Sequence, residues 1–422
     1  MSNSRNQMRM VCFAVVLVAS ACGGYENDAD TETNSSAIYQ GINISQSELD
    51  NSGLVALYHP QDPTFPNWHP RPCSAVIVKS TGGVSTILTA RHCVTSNGDA
   101  GGTLVDPSRL RLVRTLSPGP ANPNPPAGGI TPFQVMDKGG SQSDVALVLA
   151  SVDWTSIADK RIGMWVGDPH NLVGTQFTAY GYGINSNDGS CTTNGNITTG
   201  AGVARSGSAF TVTQSQTWDG IGGDGQPHRY LHNATSTGGQ AVFCGDSGGP
   251  DEGFISTTPG RTLLGVHETG AGTVDDVEST AFDLYLQYAV GGLYLTPNSQ
   301  RTSDNLVGVN VNDDPRALKM VARTSNDKLT VTYDVPTKLL LIEGGWSCFS
   351  AATGSAALAA DCNYGDSNQV WTVHTNGQLT NGTGKCLTAG SSSLVLGPCI
   401  TRDFTGHIVI PASTTWLFHP QP

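Results

Sequence analysis

Charge is scarce in this chain of 422 residues: Asp, Glu, Lys and Arg together make up 13%, and only 22 residues are Lys or Arg against 34 Asp or Glu. The formal net charge of −12 argues against nucleic acid or an anionic membrane surface as partner, since neither attracts an acidic protein. Long apolar runs are also missing. The one stretch of that kind, Val11 to Ala19, is too short to span a bilayer. There is no Cys-x-x-Cys pair and no His-Glu-x-x-His run, and the histidines are scattered, so the sequence offers no zinc site and requires no metal or organic cofactor.

What is abundant is glycine, serine, threonine and asparagine around short apolar runs. Leu54 to Tyr58, Ala75 to Val78, Ile87 to Thr89, Val145 to Leu149, Gln176 to Tyr180 and Leu263 to Val266 read as strands between Gly, Pro, Asn and Asp turns. This predicts an all-β protein with packed antiparallel barrels and little helix. Pro118 to Pro132 reads as a surface loop.

The N-terminus has an export pattern. Arg5 and Arg9 precede the apolar run, and Ser20-Ala21-Cys22 follows it, so residues 1 to 21 are expected to be a signal peptide. Ala19-Ser20-Ala21-Cys22 resembles a bacterial lipobox, which would lipidate Cys22; Ala-Ser-Ala also suits ordinary signal cleavage, and both routes stay open. Either places the protein outside the cytoplasm, secreted or lipid-anchored at a bacterial cell envelope. Residues 22 to 37 are acidic and polar, a propeptide or linker that cannot bury enough surface to fold alone. Setting aside Cys12 and Cys22, eight of the ten cysteines remain, an even number suited to disulfides in an oxidising compartment.

Three segments carry chemistry. Phe243-Cys244-Gly245-Asp246-Ser247-Gly248-Gly249-Pro250 sets a serine between glycines that allow a tight turn. His92 ends the apolar run Ile87 to Ala90-Arg91, and Asp144 stands at the mouth of Val145 to Leu149. A serine hydroxyl is a weak nucleophile until an imidazole takes its proton, and an imidazole works best when a carboxylate fixes its tautomer. The order His, Asp, Ser excludes the subtilisin and α/β-hydrolase arrangements.

These motifs resemble those of the trypsin/chymotrypsin-like serine peptidases over residues 38 to 297. The resemblance implies a double antiparallel β-barrel, protein or peptide substrates, His92, Asp144 and Ser247 as the catalytic triad, and the amides of Gly245 and Ser247 as the oxyanion hole. Ile38-Tyr39-Gln40-Gly41 is similar to the family's mature N-terminus, whose freed α-amino group pairs with the aspartate before the nucleophile, here Ile38 with Asp246. That makes the chain a zymogen; the alternative is an ordinary first strand, because Gln40 replaces a glycine.

The resemblance also implies a Cys73–Cys93 disulfide around the base and leaves Cys191 with Cys244. In the specificity pocket, Ala241 stands where trypsins carry an aspartate, and His267-Glu268-Thr269-Gly270 forms the wall. This disfavours Lys or Arg at P1. A small or medium apolar P1 residue is expected, with a P1 carboxylate, suggested by His267 and opposed by Glu268, as the other reading.

After Pro297 the composition shifts, and residues 300 to 422 are expected to form a second domain. Cys348, Cys362 and Gln369-Val370-Trp371 are followed by Cys386, Cys399 and Thr414-Thr415-Trp416, a recurrence at about 40 residues. This resembles the ricin B-type lectin repeat of a β-trefoil and implies Cys348–Cys362 and Cys386–Cys399 disulfides. Glycans are then a candidate partner, although Ser350 and Thr388 replace the sugar-binding aspartates of that family. The alternative to a peptidase is a catalytically weak carbohydrate- or surface-binding protein on the same scaffold.

Overall fold

The computed structural model describes residues 38, 41–59, 71–96, 98, 102–118, 128–137, 144–159, 163–183, 202–218, 229–236, 240–243, 245–253, 262–271, 274–279, 284–297, 305–309, 316–342, 347–351, 357–359, 361–403 and 405–420. The fold is all-β, with two sheets in the layout of a double barrel, antiparallel except where β8 pairs with β13, followed by a third strand assembly. Among the described residues no helix is long and apolar enough to cross a membrane.

The chain enters through the short strand β1 (Ile42–Asn43) and helix α1 (Gln46–Ser52). Ser45 caps the helix by accepting a hydrogen bond from the Glu48 amide, and Gly53, at φ 63°, ends it in the left-handed region. The first sheet contains β2 (Leu54–His59), β3 (Arg71–Thr81), β4 (Val84–Ala90), β5 (Arg111–Val113), β6 (Gln134–Asp137) and β7 (Val145–Ala150), in the order β5-β2-β3-β4-β7-β6. Leu57, Ile77, Ile87 and Val148 fill its interior. A bridge between Leu112 and Ile130 extends the β5 edge; most of the proline-rich loop expected over 118 to 132 lies outside the described residues.

After the short helix α2 (Thr155–Ala158) comes the second sheet: β8 (Gly163–Met164), β9 (Gln176–Gly181), β10 (Arg205–Trp218), β11 (Arg229–Ser236), β12 (Pro250–Gly253), β13 (Thr262–Ala271) and β14 (Val274–Ser279). The order β10-β11-β14-β13-β12-β9 closes on itself because β9 also pairs with β10. All six strand runs expected from the sequence lie within strands of these two sheets.

Helix α3 (Leu284–Ala289) leads to the C-terminal assembly: β15 (Tyr294–Pro297), β16 (Asn305–Val309), β17 (Leu318–Ala322), β18 (Val331–Asp334), β19 (Leu339–Ile342), β20 (Ser347–Ser350), β21 (Ala357–Ala359), β22 (Trp371–Val373), β23 (Leu379–Asn381), β24 (Cys386–Ala389), β25 (Leu394–Gly397), β26 (Thr401–Arg402), β27 (Ile408–Val409) and β28 (Trp416–His419). Six of them run round a ring. β28 pairs with β15, β18 with β19 and β22 with β23, while the bridges Leu293–Val331, Leu339–Val370 and Gln378–Thr415 join the pairs. Hairpins β16–β17, β20–β21 and β24–β25 stand between successive ring strands, so one unit recurs three times.

The repetition reaches individual atoms. Trp371 Nε1 donates to Phe349 O at 3.1 Å and Trp416 Nε1 to Leu387 O at 2.9 Å, each acceptor being the residue after a half-cystine of Cys348–Cys362 or Cys386–Cys399. The ring takes its first strand from residues before 300, and its core is continuous with that of the second sheet: Leu263, Leu293, Leu295, Trp416 and Phe418 belong to one buried cluster.

Candidate active site

His92 lies in a 3-10 turn, Arg91–Val94, that ends β4, and Asp144 directly precedes β7. The β4–β7 pairing sets Ala90 opposite Val145, so the sheet register itself brings the two residues together. Asp144 is 1% exposed. Its Oδ1 accepts the His92 amide at 2.8 Å, its Oδ2 lies 2.6 Å from His92 Nδ1, and its carbonyl accepts the Arg91 amide at 2.7 Å. A carboxylate at Nδ1 assigns the ring proton to that nitrogen and leaves Nε2 as the basic atom. The Cys73–Cys93 disulfide ties the turn to β3. His92 and the two sulfurs have ligand atoms within 4.8 Å of one another, but joined sulfurs cannot serve as thiolate ligands.

Ser247 belongs to the turn before β12 and is partly exposed. Gly245 at φ 95° and Gly248 at φ 80° adopt backbone that a side chain resists. At Gly248 space is equally decisive: a Cβ there would lie 2.2 Å from Thr89 Oγ1 and 2.6 Å from Ala90 N, so the turn docks directly onto the strand that leads to His92. Ser74 of β3 completes the docking. Its amide donates to Ser247 O at 2.9 Å and its hydroxyl donates to Gly245 O at 2.8 Å, while Thr89 Oγ1 donates to Ser74 O at 2.8 Å. On the other side the Gly248 amide donates to His267 O at 2.7 Å. Among the described residues, the Gly245 and Ser247 amides have no hydrogen-bond acceptor.

The carboxylate of Asp246 turns the other way, into full burial. Oδ1 accepts from the Gly183 amide at 2.8 Å, and Oδ2 from the amides of Phe243 at 3.0 Å and Ile38 at 3.2 Å. Ile38 is 0% exposed and has φ 32°, an uncommon value for a β-branched residue. The approach of Asp246 leaves no room for a side chain at Gly181 or Gly183, where a Cβ would come within 1.9 Å of Oδ1 and 2.7 Å of Cγ respectively.

No protein-family model matches this chain, and no curated protein matches it. Among solved structures, the thermostable serine protease AL20 from an extremophilic microorganism is similar, with 17% identity and a TM-score of 0.38 over 57% of this chain and 98% of that one. The human heparin binding protein is similar as well, with 13% identity and a TM-score of 0.39 over 60% of this chain and 96% of that one.

Of the expected pocket residues, Ala241 is buried and His267 is fully buried. His267 Nε2 lies 3.4 Å from Asp251 Oδ1 of β12, so a carboxylate facing this ring comes from the neighbouring strand. Glu268 sits at a register shift in the β13–β14 pairing, followed by Thr269 opposite Asp276 and Gly270 opposite Asp275. Cys191 and Cys244 lie outside the described residues, as does Cys22. In the C-terminal ring Ser350 is buried and Thr388 turns its hydroxyl to Cys386 O at 3.3 Å.

Sequence reasoning missed Ser74 and Asp251. Ser74 sits one residue after a half-cystine in an apolar strand, where only its packing partner reveals a role. Gly181 and Gly183 give no local sign of their role, because the close approach of Asp246 is a long-range contact.

Proposed function

We propose that the protein is an exported serine endopeptidase that cleaves peptide bonds through an acyl-enzyme. The observation that carries this reading is the Asp144–His92 pair, 2.6 Å apart and held at the foot of the strand on which the Ser247 turn docks. In this mechanism His92 Nε2 takes the proton from Ser247 Oγ as the oxygen attacks the scissile carbonyl, forming the C–O bond. The developing oxyanion is met by the Gly245 and Ser247 amides, where loss of one donor typically costs ~100- to 1000-fold in rate. The imidazolium, stabilised by Asp144, returns its proton to the leaving amine, and a water activated by His92 then hydrolyses the acyl-enzyme.

The burial of Ile38 beside Asp246 supports cleavage of the Ala37–Ile38 bond, whose freed α-amino group would pair with Asp246 and which would also separate the enzyme from a lipid anchor at Cys22. We read the C-terminal region as a β-trefoil, supported by its six-strand ring and three hairpins. A binding role on glycans is the second reading for this region. The buried Ser350 and the inward bond of Thr388 give it no acidic sugar ligand at those positions.

Intact-mass analysis after reaction with a fluorophosphonate tests the proposal. A single adduct that disappears in Ser247→Ala supports it, and no adduct on the chain beginning at Ile38 refutes it.

A further inference from the structure

Asp246 is fully buried. Three amides surround its buried carboxylate, which lowers the cost of burying a charge without cancelling it. On β10, Arg205 lies directly opposite Gly181 of β9, and cross-strand partners share a face of the sheet. That face is the one on which a Cβ at Gly181 would meet Asp246 Oδ1. Two residues along β10, Gly207 faces the same way, and a Cβ there would lie 2.7 Å from Ile38 Cγ2. Arg205 therefore projects onto the face that carries both Asp246 and Ile38.

The Arg205 side chain is buried, 3% exposed, with Nε donating to Asn43 Oδ1 at 2.8 Å. Burial lowers its pKa to about 10 while the Asp246 charge acts to raise it, so the guanidinium remains cationic at neutral pH. The Ile38 nitrogen that reaches Asp246 is here a peptide amide of a continuous chain.

We propose that Arg205 is a positioning residue that gives Asp246 its counter-charge from within the fold, so that the Gly245–Ser247 turn is held in working order before the Ala37–Ile38 bond is cut. The inference rests on the serine peptidase reading. It makes the uncut chain an active enzyme, with cleavage at Ile38 adding a second cation beside a carboxylate already neutralised.

The experiment compares fluorophosphonate labelling rates of the uncut chain and of the chain beginning at Ile38, each verified by intact mass, in wild type, Arg205→Gln and Arg205→Lys. The uncut wild type is expected to label within about tenfold of the cut form. Arg205→Gln should slow the uncut chain by about 100-fold or more, as expected when one partner of a buried charge pair is removed, and the cut chain far less, since the free ammonium replaces the lost charge. Arg205→Lys should keep the uncut chain reactive. An unlabelled uncut wild type beside a labelled cut form overturns the inference while leaving the peptidase reading intact. Equal slowing of both forms by Arg205→Gln also overturns it, because it marks a merely structural role. If neither wild-type form labels, the peptidase reading falls and the inference with it. If Arg205→Gln does not fold, the wild-type ratio and the lysine variant decide.

Discussion

Ser74 braces Ser247 across the two sheets: the Ser74 amide donates to the Ser247 carbonyl at 2.9 Å, and the Ser74 hydroxyl holds the carbonyl of Gly245 at 2.8 Å while accepting the Tyr182 amide at 2.9 Å. One fully buried side chain thus joins the first sheet, the second sheet and the turn that carries the candidate nucleophile. Replacing Ser74 by Ala leaves two buried backbone groups without this partner. We expect a loss of ~1–3 kcal/mol in stability and a slower reaction with fluorophosphonate, measured by chemical denaturation and labelling of the same sample. A variant as stable and as reactive as wild type would show that Ser74 is a passive core residue.

Asp144→Asn should leave the fold intact, since Asn keeps an oxygen for the His92 amide, but it removes the acceptor that sets the His92 tautomer. The expected loss of peptidase turnover is ~10,000-fold, with unchanged circular dichroism. Activity within tenfold of wild type would show that the Asp144–His92 contact is not catalytic.

Gly181→Ala places a methyl group where Asp246 Oδ1 now lies, against β9 on one side and the Ser247 turn on the other. Overpacking of this kind costs ~1–3 kcal/mol, and here the displaced atom belongs to the residue beside Ser247. Both thermal stability and Ser247 labelling should fall. Gly365→Ala, whose added carbon would meet nothing closer than 3.6 Å, is the neutral control.

The C-terminal ring is predicted to fold with the second sheet as one unit. β28 pairs with β15, and Trp416 and Phe418 lie in the same buried cluster as Leu263. Trp416→Ala should destabilise the protein by ~3–5 kcal/mol, and truncation after residue 299 should abolish Ser247 labelling although no candidate catalytic residue is removed. Calorimetry should show one transition; two, with the first sparing labelling, would mean independent domains.

How much of this was legible in the sequence depended on the range of the interaction. Five of the six strand runs were readable because burial on both faces favours continuous apolar residues, and Gln176 to Tyr180 because it alternates, with Phe177 and Ala179 buried beside exposed Gln176 and half-buried Thr178; the nucleophile turn was readable because its glycines answer a local backbone demand. The disulfides Cys73–Cys93, Cys348–Cys362 and Cys386–Cys399 occur as the resemblance implied. The first repeat of the C-terminal ring was hidden because it has neither half-cystines nor tryptophan; its hairpin β16–β17 relies on small apolar residues such as Val307 and Val321. Thr414 looked like a damaged Gln-x-Trp motif. In the structure Gln378 supplies a carboxamide there, donating to Cys399 O at 2.6 Å and Thr414 Oγ1 at 3.0 Å, much as Gln369 donates to Asp361 O at 3.2 Å. Arg205 carried no motif at all, because its meaning lies in strand register.

The central claim is that Ser247 is a nucleophile activated by His92 and Asp144. Intact-mass measurement of fluorophosphonate adducts on the chain beginning at Ile38 tests it most directly. The account predicts one adduct per chain at Ser247, absent in Ser247→Ala and strongly slowed in His92→Ala and Asp144→Asn. A correctly folded chain that takes up no label, or labels equally well without Ser247, would contradict it.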